Sequence, residues 1–433
     1  MDKSRQAAFL SLVKTDTSQS FSNIEVNTVI ERQKLSENEA SLFTALYMGV
    51  LEKKITLDYI ISNYSKIPVE KIDAETINAL RLGLYQLIYM DRIPDYSAID
   101  ESVKLAKKNA KGFVNAILRN FLRNSKKIPL PQEKWERVSI ENSMPLDIIN
   151  IWRKSYGDGI ALELATHHPD KRKLSVRVNT LKTNIAELCN EFEKRDIVFE
   201  VSPFSEDVIK CSCPIVRIRD LIDEGKIFIQ DEASRTAAEI LGAKKGEKIA
   251  DVCACPGGKT FSCAIDMKNE GEIYASDLHE NKLSLIDKGA EKLGISIVKT
   301  RELDAKSHVC EYEKAFDRVI CDVPCSGLGV VFKKPDIKYK ERNGLAALEK
   351  TQYAILSNCA DYVKVGGVLL FSTCTLNRDE NESNVERFLS EHENFEPYDF
   401  ETGKIISDNG MYTFFPNITG TDGFFVARMR RVK

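Results

Sequence analysis

The chain has no apolar run long enough to span a bilayer and no signal-peptide pattern over its first residues, so it is expected in the reducing cytoplasm. It has almost no charge excess: 62 Lys and Arg against 65 Asp and Glu leave −3, and any nucleic-acid surface must therefore be a local patch. Its 11 cysteines are odd in number and scattered, which fits free and mostly buried thiols. The pairs Cys211 with Cys213 and Cys253 with Cys255 are closer together than the ligand pairs of structural zinc sites, and one of them lies inside a glycine loop, so no metal is expected. His167, His168, His279, His308 and His392 show neither metal nor triad spacing.

What is present is enough for two or three domains in 433 residues. The front reads as all-helical. Ser36-Glu37-Asn38-Glu39 is a capping box followed by Leu42, Leu46 and Val50 at helical spacing. Ile77, Leu80, Leu84, Leu87 and Ile88 share a helical face, with a break at Pro94-Asp95. Further helices are expected over 99–110 and 113–122, making a helix bundle. Lys104, Lys107, Lys108, Lys111, Arg119, Arg123, Lys126 and Lys127 crowd its last two helices and their tail. Such a cluster is either a solvated helical face or a surface for RNA or another partner.

A Lys, Pro and Gln-rich stretch reads as a linker, and the next segment mixes strands at 174–178 and 197–201 with a helix over 184–195, a small α+β module. The remainder alternates strand and helix in the manner of a doubly wound α/β sheet. Strands are expected at 248–252, 271–276, 296–302, 316–321 and 368–372, a helix over 346–363 ending at Gly366-Gly367, and a closing antiparallel pair from 411–415 and 423–429. Ligands of such sheets lie outside the carboxyl ends of the strands, where this reading puts Asp277, Asp304, Asp322, Cys325 and Cys374.

The loop Cys253-Ala254-Cys255-Pro256-Gly257-Gly258-Lys259-Thr260 binds something by exclusion. It imitates a P-loop at Gly258-Lys259-Thr260, but Cys253 stands where that motif needs glycine, and it lacks the G-x-G-x-x-G dinucleotide pattern. Adjacent glycines permit close backbone approach to a ligand, and Asp277 at the next strand end can accept from both ribose hydroxyls. A nucleoside without a pyrophosphate fits, which points to S-adenosyl-L-methionine, with Asp304 a partner for the adenine amino group.

Two resemblances extend over nearly the whole chain. Residues Ala98 to Lys107 followed by Phe113-Val114-Asn115-Ala116-Ile117-Leu118 resemble the NusB antitermination-factor domain, a family that binds RNA. The segments Asp251 to Thr260, Asp322-Val323-Pro324-Cys325-Ser326-Gly327-Leu328-Gly329 and Ser372-Thr373-Cys374-Thr375 with Glu380-Asn381-Glu382 resemble the RNA cytosine-5 methyltransferases. Cys255 stands where that family usually has Ala, and Tyr339 where Trp is common; neither removes a reacting group. The resemblance implies a multidomain chain: a NusB-like helical RNA-binding domain over 1–128, a linker over 129–142, a small α+β RNA-binding module over 143–225 and a Rossmann-like class I methyltransferase domain over 226–433.

Cytosine C5 is a poor nucleophile, and a thiolate added at C6 makes it enamine-like, which is why such chemistry needs a cysteine. Loss of the C5 proton and expulsion of the thiolate then need a base or a second helper. The residues alone do not say which cysteine does which; the resemblance implies that Cys374 attacks and Cys325 promotes release. Asp322 is a partner for cytosine N3 or its amino group, or for the cofactor, and Lys259 for the cofactor or the cytosine carbonyl. The implied substrate is a specific, unstacked cytosine of small-subunit (16S) ribosomal RNA. RNA contacts are expected from Lys104, Lys107, Lys108, Lys111, from Arg172, Lys173, Arg177, and from Lys333, Lys334 and Lys338. Nothing demands more than a monomer. Two other readings compete: a non-catalytic antitermination protein, against which both cysteine motifs argue, and a methyltransferase of amino groups, against which the thiol after Pro324 argues.

Overall fold

The computed structural model describes residues 2–18, 22–168 and 173–433. They form two units, Met1–Thr166 with Val331–Lys340, and His167–Val330 with Glu341–Lys433. Among the described residues no helix is long and apolar enough to cross a membrane.

The first unit is helical: α1 (Lys3–Ser18), α2 (Ser22–Gln33), α3 (Glu37–Tyr64), α4 (Ala74–Tyr89), α5 (Asp95–Leu105), α6 (Lys111–Arg123), α7 (Lys134–Asn142) and α8 (Leu146–Thr166). The capping box starts α3 as its sequence dictates, with Ser36 N donating to Glu39 Oε2 at 2.9 Å and Ser36 Oγ accepting from Glu39 N at 3.4 Å. Ile77, Leu80, Leu84 and Leu87 of α4 are buried against Phe43, Leu46, Tyr47 and Val50 of α3. The helix expected over 99–110 is shorter: α5 stops at Leu105, because Lys107, Lys108 and Asn109 are all exposed and offer nothing to bury.

Three expectations need correction here. The linker expected over 129–142 contains α7, whose Trp135, Val138 and Ile140 are buried. Residues 143–166, expected in the small module, form the rest of the helical unit, where Ile148, Ile149 and Trp152 of α8 are fully buried. The Lys and Pro content before Lys134 masks an amphipathic helix behind it. Lys338, expected on RNA, is 5% exposed and donates to the Ser143 carbonyl at 2.9 Å, and its neighbour Tyr339 donates to the Leu51 carbonyl at 2.6 Å. A lysine held this way does not reach a phosphate.

The second unit starts with an antiparallel sheet in the order β2-β3-β1-β4, from β1 (Leu174–Val178), β2 (Val198–Val201), β3 (Val208–Ser212) and β4 (Ile227–Ile229). Helix α9 (Ile185–Lys194) crosses between β1 and β2 in sequence, capped by Asn184 accepting from Glu187 N at 2.9 Å. Because β4 pairs with β1, this module runs past the boundary expected at 225. After α10 (Glu232–Leu241) come β5 (Lys248–Asp251), α11 (Gly258–Asp266), β6 (Glu272–Asp277), α12 (Glu280–Leu293), β7 (Val298–Glu302), β8 (Phe316–Asp322), α13 (Leu345–Ala360), β9 (Val363–Thr373), α14 (Glu382–Glu391), β10 (Phe395–Pro397), β11 (Met411–Phe414) and β12 (Phe424–Arg431).

These strands order as β10-β12-β9-β8-β5-β6-β7, with β11 also on β12. Strands β7, β6, β5, β8 and β9 are parallel, and the tail strand β12 runs antiparallel to β9, pairing with β11 as expected. Leu369, Leu370 and Phe371 are all fully buried, so β9 reads as a continuous apolar run because both its faces are covered. Gly366-Gly367 do not end a helix: α13 stops at Ala360 and both glycines lie inside β9. The order in which the chain lays down its strands reverses between the parallel neighbours β5 and β8, and this switch point places the ligand crevice at their carboxyl ends.

Arg177 also changes role. It is 0% exposed on β1, and its Nη2 bonds Asp266 of α11 at 2.8 Å and Asp207 at 3.0 Å. An enclosed guanidinium with two carboxylates is a structural ion cluster and has no path to RNA.

Candidate active site

Four of the parallel strands end on chemistry. Asp251 closes β5, Asp277 closes β6, Asp322 closes β8 and Cys374 follows β9. Strands β8 and β9 are neighbours in register, Asp322 beside Ser372, so the loops after them meet. The Cys325 and Cys374 sulfurs lie 3.3 Å apart. Contact with the Cys374 thiol, burial, and the nearby Glu380 carboxylate hold the Cys325 thiol well above the ordinary cysteine range. Gly329 N donates to the Cys374 carbonyl at 3.1 Å, and a Cβ at Gly329 would collide with the Gly423 carbonyl, so the loop crosses here only as glycine.

Asp322 faces the same point. Its Oδ2 is 2.7 Å from Lys259 Nζ and its Oδ1 accepts from Ser372 Oγ at 2.7 Å. Lys259 is 6% exposed, donates to Ser234 Oγ at 3.3 Å and sits 4.9 Å from the Phe424 ring centroid. The glycine loop carrying Lys259 is pinned at both ends, Ala254 N to the Ser276 carbonyl at 2.8 Å and Gln230 Nε2 to the Gly258 carbonyl at 3.1 Å. Gly257 has φ +107° and a Cβ there would strike the Phe261 ring, so it starts α11 in a conformation and a space suited to glycine.

Asp251 opens the glycine-loop motif without being among the expected site residues, and its environment is the least ordinary. It is 1% exposed; Oδ2 accepts from Thr260 Oγ1 at 2.7 Å, and Oδ1 has no partner. Burial above all, with the Asp322 charge adding, pushes its carboxyl up to about 7. An acidic residue following Ile249 and Ala250 at the strand's carboxyl end is the signal the sequence offers. An enclosed carboxylate with an orphan oxygen is complementary to a cationic ligand, and S-adenosylmethionine, a sulfonium with an ammonium group, fits it.

The other loop residues differ in character. Cys253 is half-buried and packs against the core that includes Val252 and Ala250, and burial raises its thiol pKa strongly. Cys255 reaches the Lys282 carbonyl at 3.8 Å, and Pro256 and Gly258 face an apolar pocket with Phe228 and Leu285. Asp277 is 9% exposed, accepting from His279 N at 3.2 Å, and Lys282 is 3.5 Å from it. Asp304, two residues past β7, accepts from Lys306 N at 3.0 Å.

The basic candidates divide. Lys104 pairs with Asp100 and Glu101, both at 2.7 Å, and Lys107 lies between Asp73 at 3.5 Å and Glu75 at 3.3 Å. Lys108, Lys111, Lys333 and Lys334 are exposed. Lys173 pairs with Glu200 at 2.9 Å, and Arg172 lies outside the described residues. The histidines show no ligand spacing in sequence, yet among the described residues His308, Cys310 and Glu313 bring ligand atoms within 4.8 Å of one another at an exposed turn, where His308 Nε2 already contacts Glu313 at 2.8 Å.

Comparison with known proteins agrees with this architecture. Residues 238–430 match the family described as 16S rRNA methyltransferase RsmB/F, and residues 2–123 match the NusB family. The chain is 35% identical to the probable ribosomal RNA small subunit methyltransferase B of Bacillus subtilis over 99% of this chain and 98% of that one. Its fold is similar to the crystal structure of PH0851, with a TM-score of 0.84, 24% identity and coverage of 100% of this chain and 99% of that chain. It is also similar to NSun6 from Pyrococcus horikoshii, solved with the S-adenosylmethionine analogue SFG, at a TM-score of 0.60, 21% identity, 67% of this chain and 98% of that chain. The chain belongs to the RsmB/F family of S-adenosylmethionine-dependent rRNA methyltransferases and carries a NusB-family domain.

Proposed function

We propose that this protein methylates C5 of a cytosine in small-subunit ribosomal RNA through a covalent bond between Cys374 and cytosine C6. The observation that carries the reading is the pair of thiols 3.3 Å apart at the ends of adjacent strands, beside Asp322 and Lys259. The small-subunit RNA substrate is carried by the names of its relatives.

The chemistry follows from these groups. Cys374, as thiolate, adds to C6; the C5–C6 π electrons shift into a C4–C5 double bond, the C4–N3 electrons move onto N3, and C5 is then the nucleophilic carbon of an enamine. S-adenosylmethionine, when bound, supplies an electrophilic methyl group. Asp322, held by Lys259 and Ser372, accepts from the cytosine amino group and fixes the ring. C5 then gives its proton to solvent water, the C5–H electrons re-form the C5–C6 double bond, and the C6–S bond breaks with its electrons returning to Cys374. Cys325, kept as a thiol, assists that release. Asp277 would hold the ribose hydroxyls, Asp304 the adenine amino group and Asp251 the cationic end of the cofactor.

The direct experiment combines the purified protein, S-adenosylmethionine labelled in its methyl group and unmodified small-subunit RNA. Label is expected in 5-methylcytosine at one site; label only on adenine or on protein would overturn the reading.

Asp251 gives a pH dependence with a definite sign. Its carboxyl is raised to about 7 from 3.8, so the stability it contributes to the cofactor-free protein is fully present below 3.8 and is lost as pH rises to about 7. A cationic cofactor prefers the ionised form, so its affinity should rise with pH through neutrality and its binding below neutrality should release a proton. Calorimetry in two buffers of different ionisation enthalpy reads that proton. Asp251→Asn should weaken binding about 10- to 100-fold and remove the proton release.

A further inference from the structure

Glu380 is 0% exposed and accepts four hydrogen bonds, all from neutral donors. Oε2 takes Ser326 N at 2.9 Å and Gln352 Nε2 at 2.9 Å; Oε1 takes Ser326 Oγ at 2.5 Å and Asn377 Nδ2 at 3.1 Å. The same Gln352 amide donates to the Pro324 carbonyl at 2.9 Å, so both residues flanking Cys325 hang on one carboxylate. From the other loop, Thr375 Oγ1 is 2.7 Å from Ser326 Oγ and accepts from Leu328 N at 3.2 Å, which binds the residue after Cys374 into the same network.

Burying a carboxylate among neutral donors is costly, and a glutamine there would carry no charge. Glutamine would also turn an NH₂ group toward two of these donors, so only a carboxylate can accept all four. We propose that Glu380 is a positioning residue that clamps the Cys325 loop against Cys374 and so fixes which thiol attacks and which one releases. The inference rests on the cysteine assignment made above. Contact with the Cys374 sulfur and burial, with the Glu380 charge adding, disfavour a thiolate at Cys325.

The test uses the full chain with small-subunit RNA and S-adenosylmethionine, comparing Glu380→Gln, Gln352→Ala and Cys325→Ala. Glu380→Gln should lower turnover on the order of 100-fold. Cofactor affinity should hold, and a covalent protein–RNA complex should accumulate on denaturing gels as it does for Cys325→Ala. Unchanged turnover, or turnover and cofactor affinity lost together with no complex, would overturn the proposal. If Glu380→Gln does not fold, Gln352→Ala decides: it removes one of the four donors and the Pro324 tether, and complex accumulation supports the clamp whereas wild-type behaviour overturns it. Cys325→Ala separates the two readings. If it traps no complex, the cysteine assignment fails and takes the clamp with it; if it traps one and the Glu380 and Gln352 variants do not, only the clamp fails.

Discussion

Cys374→Ala should reduce methyl transfer to background, a loss of at least about 10³-fold, and leave no covalent complex with RNA. Cys325→Ala should also stop turnover, but with the RNA trapped on the protein. The two outcomes differ because the thiols act on opposite sides of the methyl transfer. Without Cys374 no C6–S bond forms and nothing downstream can be seen. Without Cys325 the bond forms and the assisted elimination is missing, so the adduct persists. A gel run under denaturing conditions, with and without cofactor, reads the difference, and the opposite pattern would exchange the roles. Cofactor affinity should be preserved in both variants, because neither thiol belongs to the glycine loop. Loss of cofactor binding with either one would mean that the substitution had disturbed β8 or β9 rather than the chemistry.

The meeting of those two sulfurs was half legible in sequence. Each motif follows an apolar run and so was expected at a strand end, and a doubly wound sheet puts strand ends at the ligand. What the residues could not give was that β8 and β9 are neighbours, with Asp322 beside Ser372; that is a matter of topology. The clamp was less legible still. Glu380 stands 54 residues from Ser326, and only the folded chain shows that its carboxylate is enclosed. Local signals fared well wherever the physics is local. Ser36 and Asn184 cap the helices their side chains announce, and Asp277 and Asp322 close strands as their positions suggest. Composition misled where a helix hid behind prolines and lysines, as at α7, and where β4 returned to β1 after a glycine turn.

Arg177 illustrates the same limit, and it leads to a large effect on stability. The sequence places it among the expected RNA contacts, yet its acids come from 207 and 266, far along the chain. It shares them with Arg235 of α10, which reaches Asp207 at 3.0 Å, Asp266 at 2.9 Å and Glu239 at 3.0 Å. The two arginines are not equivalent. All three nitrogens of Arg235 are engaged, and its acidic neighbours outweigh burial to raise its pKa. Arg177 is bonded through Nη2 alone, its Nε and Nη1 find no partner, and burial with the Arg235 charge lowers its pKa. Arg177 is therefore as fully desolvated as Arg235 and makes fewer bonds. Arg235→Met should destabilise the protein by about 3–5 kcal/mol, since it leaves Asp207 and Asp266 to a single poorly bonded cation. Arg177→Met should change stability by no more than about 1 kcal/mol, because Arg235 still serves both acids and the methionine fills the space. Urea unfolding of both variants tests the asymmetry, and equal losses would show that the two guanidiniums share the cluster evenly. The consequence reaches the site, because Asp266 ends the helix that Gly258 begins and that carries Lys259. In Arg235→Met the helix loses its anchor at the far end, so cofactor affinity should fall with stability, whereas Arg177→Met should leave both cofactor and RNA binding as they are.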